Sequence, residues 1–182
     1  MVGGETVRTV VVLGSYAPSL ITFRGPLIAA LIARGYRVVA MAHLIDPTTR
    51  DRLISLGAEP REVSLINNST SLRGTADSVR ALIASFREIR PDTIIAYTVK
   101  PVTLGAIAAA HVGVPSFVPL VTGLGFAFTK GPGIKRRLSR LVASLLYRCA
   151  FRRSHAIVFQ NSDDLEEFRA RPARAPHRSC CR

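Results

Sequence analysis

The sequence predicts an α/β fold built on a Rossmann-like, doubly wound parallel sheet. Short apolar segments rich in β-branched residues alternate with helix-like segments along most of the chain. The first of them, residues 7–14, is apolar on both faces, which is typical of a central strand covered by helices on both sides. The chain has 182 residues, of which 48% are hydrophobic and 20% charged, enough for one domain with a sizeable core.

The predicted elements follow one another in regular order. After the first strand, Pro26 suits the first position of a helix and Gly35 its end. Thr75 is the predicted N-cap of a later helix that ends at Arg90 and Pro91. The further strands are predicted at residues 36–42, 61–66, 92–99, 115–120 and 155–161. The further helices are predicted at residues 48–58, 102–113 and 134–152, with another beginning at Ser162.

The charge of the chain points to an anionic partner. Twenty-five Lys and Arg against twelve Asp and Glu give a net charge of +13. Residues 93–162 contain no Asp or Glu, although they carry nine Lys and Arg. A phosphorylated substrate or an anionic membrane surface fits this charge better than nucleic acid, because no nucleic-acid-binding motif is present and aromatic residues make up only 7%.

Several classes of protein are disfavoured. Three cysteines, an odd number, give no disulfide framework, and the four histidines lack metal-ligand spacing, so we expect a reducing compartment and no metal site. Residues 101–129 are uncharged but are broken by Gly and Pro, so a buried helix, a turn and a buried strand are predicted there rather than a membrane span. The first residues do not resemble a signal peptide.

Small and polar residues follow four of the predicted strands. In a doubly wound sheet, ligands bind beyond the carboxyl ends of the strands. These residues suit hydrogen bonding to hydroxyls and phosphates. At each position a simple need for a turn explains the glycine equally well, but four such ends on one edge favour a ligand cleft. The residues are Gly14, Ser15, Tyr16, Tyr97, Thr98, Lys100, Thr122, Gly123, Gly125, Gln160, Asn161 and Ser162.

Two nucleotide-binding classes lack their motifs. A nicotinamide-binding fingerprint needs three glycines in the first turn and an acid about 20 residues later. This chain has Gly14 alone in that turn, so a dehydrogenase is disfavoured. A Walker lysine motif is absent too, which disfavours a nucleoside triphosphatase.

A loop and a basic helix form a second candidate site, for membrane contact. The loop carries Phe126, Phe128 and Lys130, and the predicted helix at 134–152 is amphipathic. Phenylalanines can enter a lipid interface while cations meet anionic headgroups. The alternatives are phenylalanines packed beneath the loop and a basic helix face that is only solvated. The cations of this helix that we expect to face lipid are Arg136, Arg137 and Arg140.

Four segments together resemble a known family. They are "LITFRGPLIAALIARGYRVV", "PDTIIAYTVKPVTLGAIAAAHVGVP", "LVTGLGFAFTKG" and "LLYRCAFRRSHAIVFQNSDDLEEF". In this order they resemble the N-terminal domain of family 4 glycosyltransferases, most closely the bacterial enzymes of surface-polysaccharide assembly. The resemblance covers about residues 7–168.

The resemblance implies a GT-B architecture, in which two Rossmann-like domains face a cleft. The N-terminal domain then binds the acceptor, and the C-terminal domain holds most of the site for the nucleotide-diphosphate sugar, including two glutamates. Such enzymes transfer a sugar with retention of configuration, without an essential metal or other cofactor. Their acceptors are often saccharides on an isoprenoid diphosphate, so the resemblance implies a cytoplasmic protein attached peripherally to the inner membrane face.

The resemblance also places individual residues. Gly14 and Ser15 border the cleft in the first loop, and Arg24 and Gly25 are placed to meet an acceptor phosphate. The remaining walls of the implied cleft are Tyr97, Lys100, Pro101, Thr122, Gly123, Gly125 and Asn161. No Asp, Glu or His follows these strands, so no catalytic residue is assigned.

The end of the chain departs from the family pattern. We expect residues 1–168 to form the acceptor-side domain, and residues 169–182 an Arg-rich tail from a truncated or frameshifted end. The C-terminal donor-binding domain is then missing, and we expect the chain to be inactive alone. The alternative is a non-catalytic subunit at the membrane surface that partners a separate donor-binding chain.

Overall fold

The computed structural model describes residues 7–65, 72–122, 150–152, 154–162 and 166. Within these ranges, six strands form one sheet in the order β3-β2-β1-β4-β5-β6, and every pair of neighbours is parallel. The strands are β1 (Thr9–Leu13), β2 (Arg37–Ala42), β3 (Glu59–Glu62), β4 (Thr93–Tyr97), β5 (Ser116–Val121) and β6 (Val158–Phe159). The helices are α1 (Pro18–Thr22), α2 (Gly25–Ala33), α3 (Pro47–Ser55), α4 (Leu72–Ile89) and α5 (Val99–Val112). The predicted doubly wound parallel sheet is confirmed.

The central strand β1 contributes to two cores, one on each face of the sheet. Val11 and Leu13 belong to one core, and Val12, which points the other way, belongs to the second. The first core is completed by α4 and α5 through Leu82, Phe86, Val102, Ala106 and Ala109. The second is completed by α1, α2 and α3 through Leu20, Ile28 and Leu53. Burial of each large side chain contributes about 1.5–3 kcal/mol, and this explains why β1 is apolar on both faces.

Helix α5 lies close against the sheet because its residues are small. A Cβ atom at Gly105 would be 3.1 Å from Cδ2 of Leu13 and 3.4 Å from Cε2 of Phe117. Helix α5 and strand β5 occupy the described part of the uncharged segment 101–129, as the sequence predicted. Among the residues that the structure describes, no helix is long and apolar enough to cross a membrane.

Three local predictions differ from the structure. Strand β3 begins two residues earlier than predicted, because Glu59 already pairs with Val39 of β2, while its carboxylate forms a bidentate ion pair with Arg37. Thr75 is not an N-cap, because α4 begins three residues before it. Helix α1 was not predicted, since five residues are too few to show a helical period.

Some predictions fall outside the described residues. Of the predicted helix at 134–152, the structure describes residues 150–152, which are helical. The loop and basic helix expected to face the membrane lie outside the described ranges, as does the tail at 169–182. The membrane-facing residues concerned are Phe126, Phe128, Lys130, Arg136, Arg137 and Arg140.

Candidate functional site

The candidate site lies at the carboxyl ends of β1 and β4, near the centre of the sheet. The chain leaves β1 for β2 on one side, whereas β4 lies on the other side of β1 and leads on to β5. This reversal of strand order is the position where doubly wound sheets open a crevice for ligands. The loop after β1 and the loop after β4 therefore meet there.

Gly14, the first residue after β1, leaves room for the ring of Tyr97. A Cβ atom at Gly14 would be 2.3 Å from the phenol oxygen of Tyr97 and 2.4 Å from its Cζ. Tyr97 is 2% exposed, so its ring is confined. The Gly14 N–H donates to the carbonyl oxygen of Met41 at 2.9 Å and ties this loop to β2. Glycine is needed here for close approach.

The phenol of Tyr97 belongs to a directed chain of hydrogen bonds. The Ser19 hydroxyl donates to the carbonyl oxygen of Tyr16 at 2.5 Å and lies 2.8 Å from the Tyr97 hydroxyl. A serine hydroxyl has one hydrogen, and a carbonyl oxygen only accepts. The Tyr97 O–H therefore donates to Ser19. Burial raises the pKa of Tyr97, although the Ser19 bond and Arg24 oppose this, so the phenol is neutral at physiological pH.

Thr98 joins the two loops and holds an unusual backbone conformation. Its Oγ1 lies 2.9 Å from Oγ of Ser15. Its φ of 67° and ψ of 158° fall in a region that is nearly restricted to glycine. Thr98 is also the N-cap of α5, but its side chain makes no capping hydrogen bond. Lys100, half-buried, is the second residue of this helix.

Arg24 extends over the ends of three strands. It is the N-cap of α2, and its guanidinium lies 4.8 Å from the centroid of the Tyr97 ring, at the end of β4. One terminal nitrogen donates to Oε1 of Gln160, just past β6, at 3.5 Å. Because β5 lies between β4 and β6, the guanidinium spans the end of β5 as well. Arg24 is 7% exposed, and burial lowers its pKa.

Three large apolar side chains at the same edge of the sheet are exposed to solvent. Tyr16 is 66% exposed, Phe23 69% and Leu44 71%, and we call them the apolar rim. Tyr16 follows β1, Phe23 caps the end of α1, and Leu44 follows β2, so all three belong to the carboxyl edge of the sheet. The rim offers an apolar surface beside the polar centre.

The structure brings together four of the predicted site residues: Gly14, Ser15, Arg24 and Tyr97. Gly25 is the buried first residue of α2, and Lys100 lies in the first turn of α5. Thr122 follows β5 and is half-buried, whereas Asn161 follows β6 and is exposed. Gly123 and Gly125 lie outside the described residues.

Other residues of this edge were not predicted from the sequence. Ser19 was missed with helix α1, and Gln160 was noted but not chosen, since nothing in the sequence shows that it reaches Arg24. His43 directly follows β2 and is half-buried, and the end of β2 was not among the strand ends predicted to bind a ligand. Asp46, nearby, caps α3 by accepting from the Thr49 N–H at 2.9 Å. Within the described ranges, no three His, Cys, Asp or Glu side chains are grouped to hold a metal ion.

The sequence of residues 21–179 matches the family described as "Glycosyl transferase 4-like domain". The chain belongs to this family. The match confirms the resemblance read from the four sequence segments. A search of curated proteins gave no match.

Known structures share the fold of this glycosyltransferase-like domain. MurG of Acinetobacter baumannii superposes with a TM-score of 0.56 and 11% identity over 86% of this chain and 41% of that one. A glycosyltransferase of Rickettsia africae superposes with a TM-score of 0.58 and 11% identity, over 90% of this chain and 39% of that one. UDP-GlcNAc 2-epimerase of Neisseria meningitidis, whose structure contains UDP-GlcNAc, superposes with a TM-score of 0.60 and 12% identity, over 91% of this chain and 44% of that one. This chain spans less than half the length of each.

At these identities the similarity shows the fold alone. The six-stranded parallel sheet with helices on both faces is the Rossmann-like sheet of GT-B glycosyltransferases. The family match adds the glycosyltransferase class, which the fold by itself does not decide because an epimerase shares it.

Proposed function

We propose that this chain is the acceptor-binding domain of a retaining glycosyltransferase. The complete enzyme moves a sugar from a nucleotide-diphosphate sugar to a saccharide, carried on a lipid, during polysaccharide assembly. One observation carries the proposal within the glycosyltransferase family. The carboxyl ends of β1 and β4 hold hydroxyl groups, a buried guanidinium and exposed apolar side chains at one place.

Each part of this site matches a part of such an acceptor. The hydroxyls of Ser15 and Thr98, together with Lys100, suit sugar hydroxyls. Arg24 suits a phosphate, because a planar guanidinium can donate two parallel hydrogen bonds to its oxygens. The apolar rim suits the first isoprene units of a lipid carrier. A ligand with all three chemistries is a lipid phosphate that carries a saccharide.

In this proposal the domain positions the acceptor and does not supply the reacting carboxylates. Residues 93–162, which run from β4 to three residues past β6, contain no Asp or Glu. The Tyr97 hydroxyl donates its hydrogen bond to Ser19, so Tyr97 has a structural role in the site as a neutral group. Holding the acceptor in a reactive orientation is itself worth several kcal/mol of barrier.

The remaining parts of the proposal concern partners and location. In the complete enzyme, a second Rossmann-like domain with two glutamates supplies the donor site. This chain needs no metal or other cofactor. It lies in the cytoplasm, attached to the inner membrane face through the phenylalanines and cations of residues 126–140.

Equilibrium binding of two ligand classes tests this function. The chain is titrated with a short isoprenoid-diphosphate-linked disaccharide and, separately, with UDP-GlcNAc. We expect the first to bind and the second to be neither bound tightly nor converted. Ser15→Ala should weaken acceptor binding about 10-fold, as expected for one lost hydrogen bond to a ligand.

Ser55→Ala is the matched control, because Ser55 lies on exposed α3 at the opposite edge of the sheet and bonds only within its own helix. Binding of UDP-GlcNAc alone, or its conversion to the 2-epimer, contradicts the proposal and favours an epimerase.

A further inference from the structure

Arg24 is a buried cation, and no carboxylate that the structure describes forms an ion pair with it. At 7% exposure it belongs to the most buried class of residues, and arginine is almost never found there unless it is paired. Its contacts with the Phe23 carbonyl oxygen and the Gln160 amide are 3.4 Å and 3.5 Å long. Its buried Nε has no hydrogen-bond partner. Leaving a guanidinium in this state is costly, so a ligand is expected.

Six of the carboxylates that the structure describes are engaged elsewhere. Glu59, Glu62 and Glu88 pair with other arginines, and Asp77 pairs with Arg80. Asp46 and Asp92 accept from backbone N–H groups. In the sequence, residues 93–162 contain no Asp or Glu, and the next two residues, Asp163 and Asp164, lie outside the described ranges.

Two helices begin beside this cation. Arg24 is itself the N-cap of α2, and Tyr97, which lies under the guanidinium, precedes Thr98, the N-cap of α5. Neither N-cap makes a side-chain hydrogen bond to its helix. The first N–H groups of a helix have no partner within it, and they carry a partial positive charge that favours an anion.

We propose that Arg24, at the ends of β4, β5 and β6, anchors a site for a phosphate or diphosphate group. The planar guanidinium donates to two phosphate oxygens, and the N-terminal turns of α2 and α5 add backbone donors. Packing against the Tyr97 ring fixes the orientation of the guanidinium, and the hydrogen bond to Ser19 fixes the position of that ring. The inference deepens the proposed function and rests on it for the nature of the phosphorylated ligand.

A purely structural role for Arg24 predicts the opposite effect on stability. If Arg24 only braces the strand ends, Arg24→Met loses its contacts and lowers the melting temperature. If Arg24 is held for an anion, Met fills a similar volume without an uncompensated charge, and the melting temperature without ligand stays equal or rises. The two roles therefore differ in the sign of one measurement.

The experiment titrates the full chain with inorganic diphosphate at constant ionic strength, followed by calorimetry and by the melting temperature. We expect saturable binding and a rise in melting temperature for the wild type, and binding weakened at least about 10-fold in Arg24→Met. Arg34→Met is the control, because Arg34 is exposed at the other end of α2. Arg24→Lys keeps the charge without the planar fork and should bind with intermediate affinity, which keeps the test valid if the Met variant does not fold.

Two further probes identify the source of the phosphate. UDP represents a nucleotide donor, and farnesyl diphosphate represents a lipid-linked acceptor. Tighter Arg24-dependent binding of farnesyl diphosphate assigns the site to the acceptor. Tighter binding of UDP keeps the anion site but contradicts the proposed acceptor role. The absence of saturable diphosphate binding by the wild type, or equal binding by Arg24→Met, overturns the inference.

Discussion

Gly14→Ala tests the geometry of the site, because its added methyl group would overlap the Tyr97 ring. The new Cβ would be 2.3 Å from the phenol oxygen, 2.4 Å from Cζ and 2.9 Å from Cε1. Tyr97 cannot move freely, since it is 2% exposed and hydrogen-bonded to Ser19. The ring must tilt or the β1 loop must shift.

The loss in the free energy of unfolding expected for Gly14→Ala is the sum of two contributions. Overpacking of this kind costs about 1–3 kcal/mol. Loss of the hydrogen bond from Tyr97 to Ser19 adds about 1 kcal/mol. Together they lower the free energy of unfolding by about 2–4 kcal/mol. At about 2–4 °C per kcal/mol for a chain of this size, the melting temperature should fall by about 4–16 °C.

Circular dichroism melts of four variants provide the assay: Gly14→Ala, Gly25→Ala, Tyr97→Leu and the Gly14→Ala/Tyr97→Leu double variant. Gly25→Ala is the control, because a Cβ atom there meets nothing within 4 Å, and it should leave the melting temperature unchanged or slightly raised. Tyr97→Leu in the Gly14→Ala background relieves the overlap, so the double variant should be more stable than the sum of the single effects predicts. A melting temperature for Gly14→Ala within 1 °C of the wild type would refute the placement of Tyr97 over Gly14.

Three other predictions concern the backbone, pH and lipid. In urea denaturation, the Thr98→Gly variant should be about 1 kcal/mol more stable than Thr98→Ala. Both variants lose the hydroxyl, but only glycine adopts a φ of 67° and a ψ of 158° without strain. Equal stability of the two variants would contradict a strained backbone at residue 98. Hydrogen bonds from Thr49 hold the pKa of Asp46 below its usual value, so the stability that they add is present above about pH 4 and is lost as the pH falls through the pKa of the folded state. Asp46→Asn should therefore make the free energy of unfolding less dependent on pH in acid. If the dependence of stability on acid pH is the same in the variant, the reasoning is wrong. The chain should co-sediment with vesicles of anionic lipid at low salt but not at high salt. Replacing four cations of the predicted membrane-facing segment by Gln should abolish the co-sedimentation, namely Lys130, Arg136, Arg137 and Arg140. Replacing four tail arginines, Arg171, Arg174, Arg178 and Arg182, should not abolish it, and the reverse result would assign the binding to the tail.

The sequence predicted the sheet because its central strands carry a strong and local signal. The apolar run of β1 requires cover on both faces, and Gly35, with a φ of 82°, ends the α2 segment where a left-handed residue was expected. The start of edge strand β3 was predicted two residues too late, because the strand is mostly polar and no apolar pattern marks where its pairing with β2 begins.

The site was predicted only in outline. A turn glycine such as Gly14 can be read from its position after a strand, but the Tyr97 ring that fills its space lies 83 residues away along the chain. The contact between Arg24 and Gln160 likewise depends on the order of strands in the sheet, and sequence spacing does not give that order. The strain at Thr98 has no local signal, since threonine is disfavoured in that conformation and is held there by the surrounding fold.

A crystal structure of the chain with an isoprenoid-diphosphate-linked disaccharide tests the central claim most directly. The claim predicts diphosphate oxygens about 3 Å from the Arg24 guanidinium and sugar hydroxyls beside Ser15 and Thr98. A groove at the opposite edge of the sheet is lined by Arg37, Glu59, Arg61 and Glu88. A ligand bound in that groove, with the ends of β1 and β4 empty, would contradict the claim.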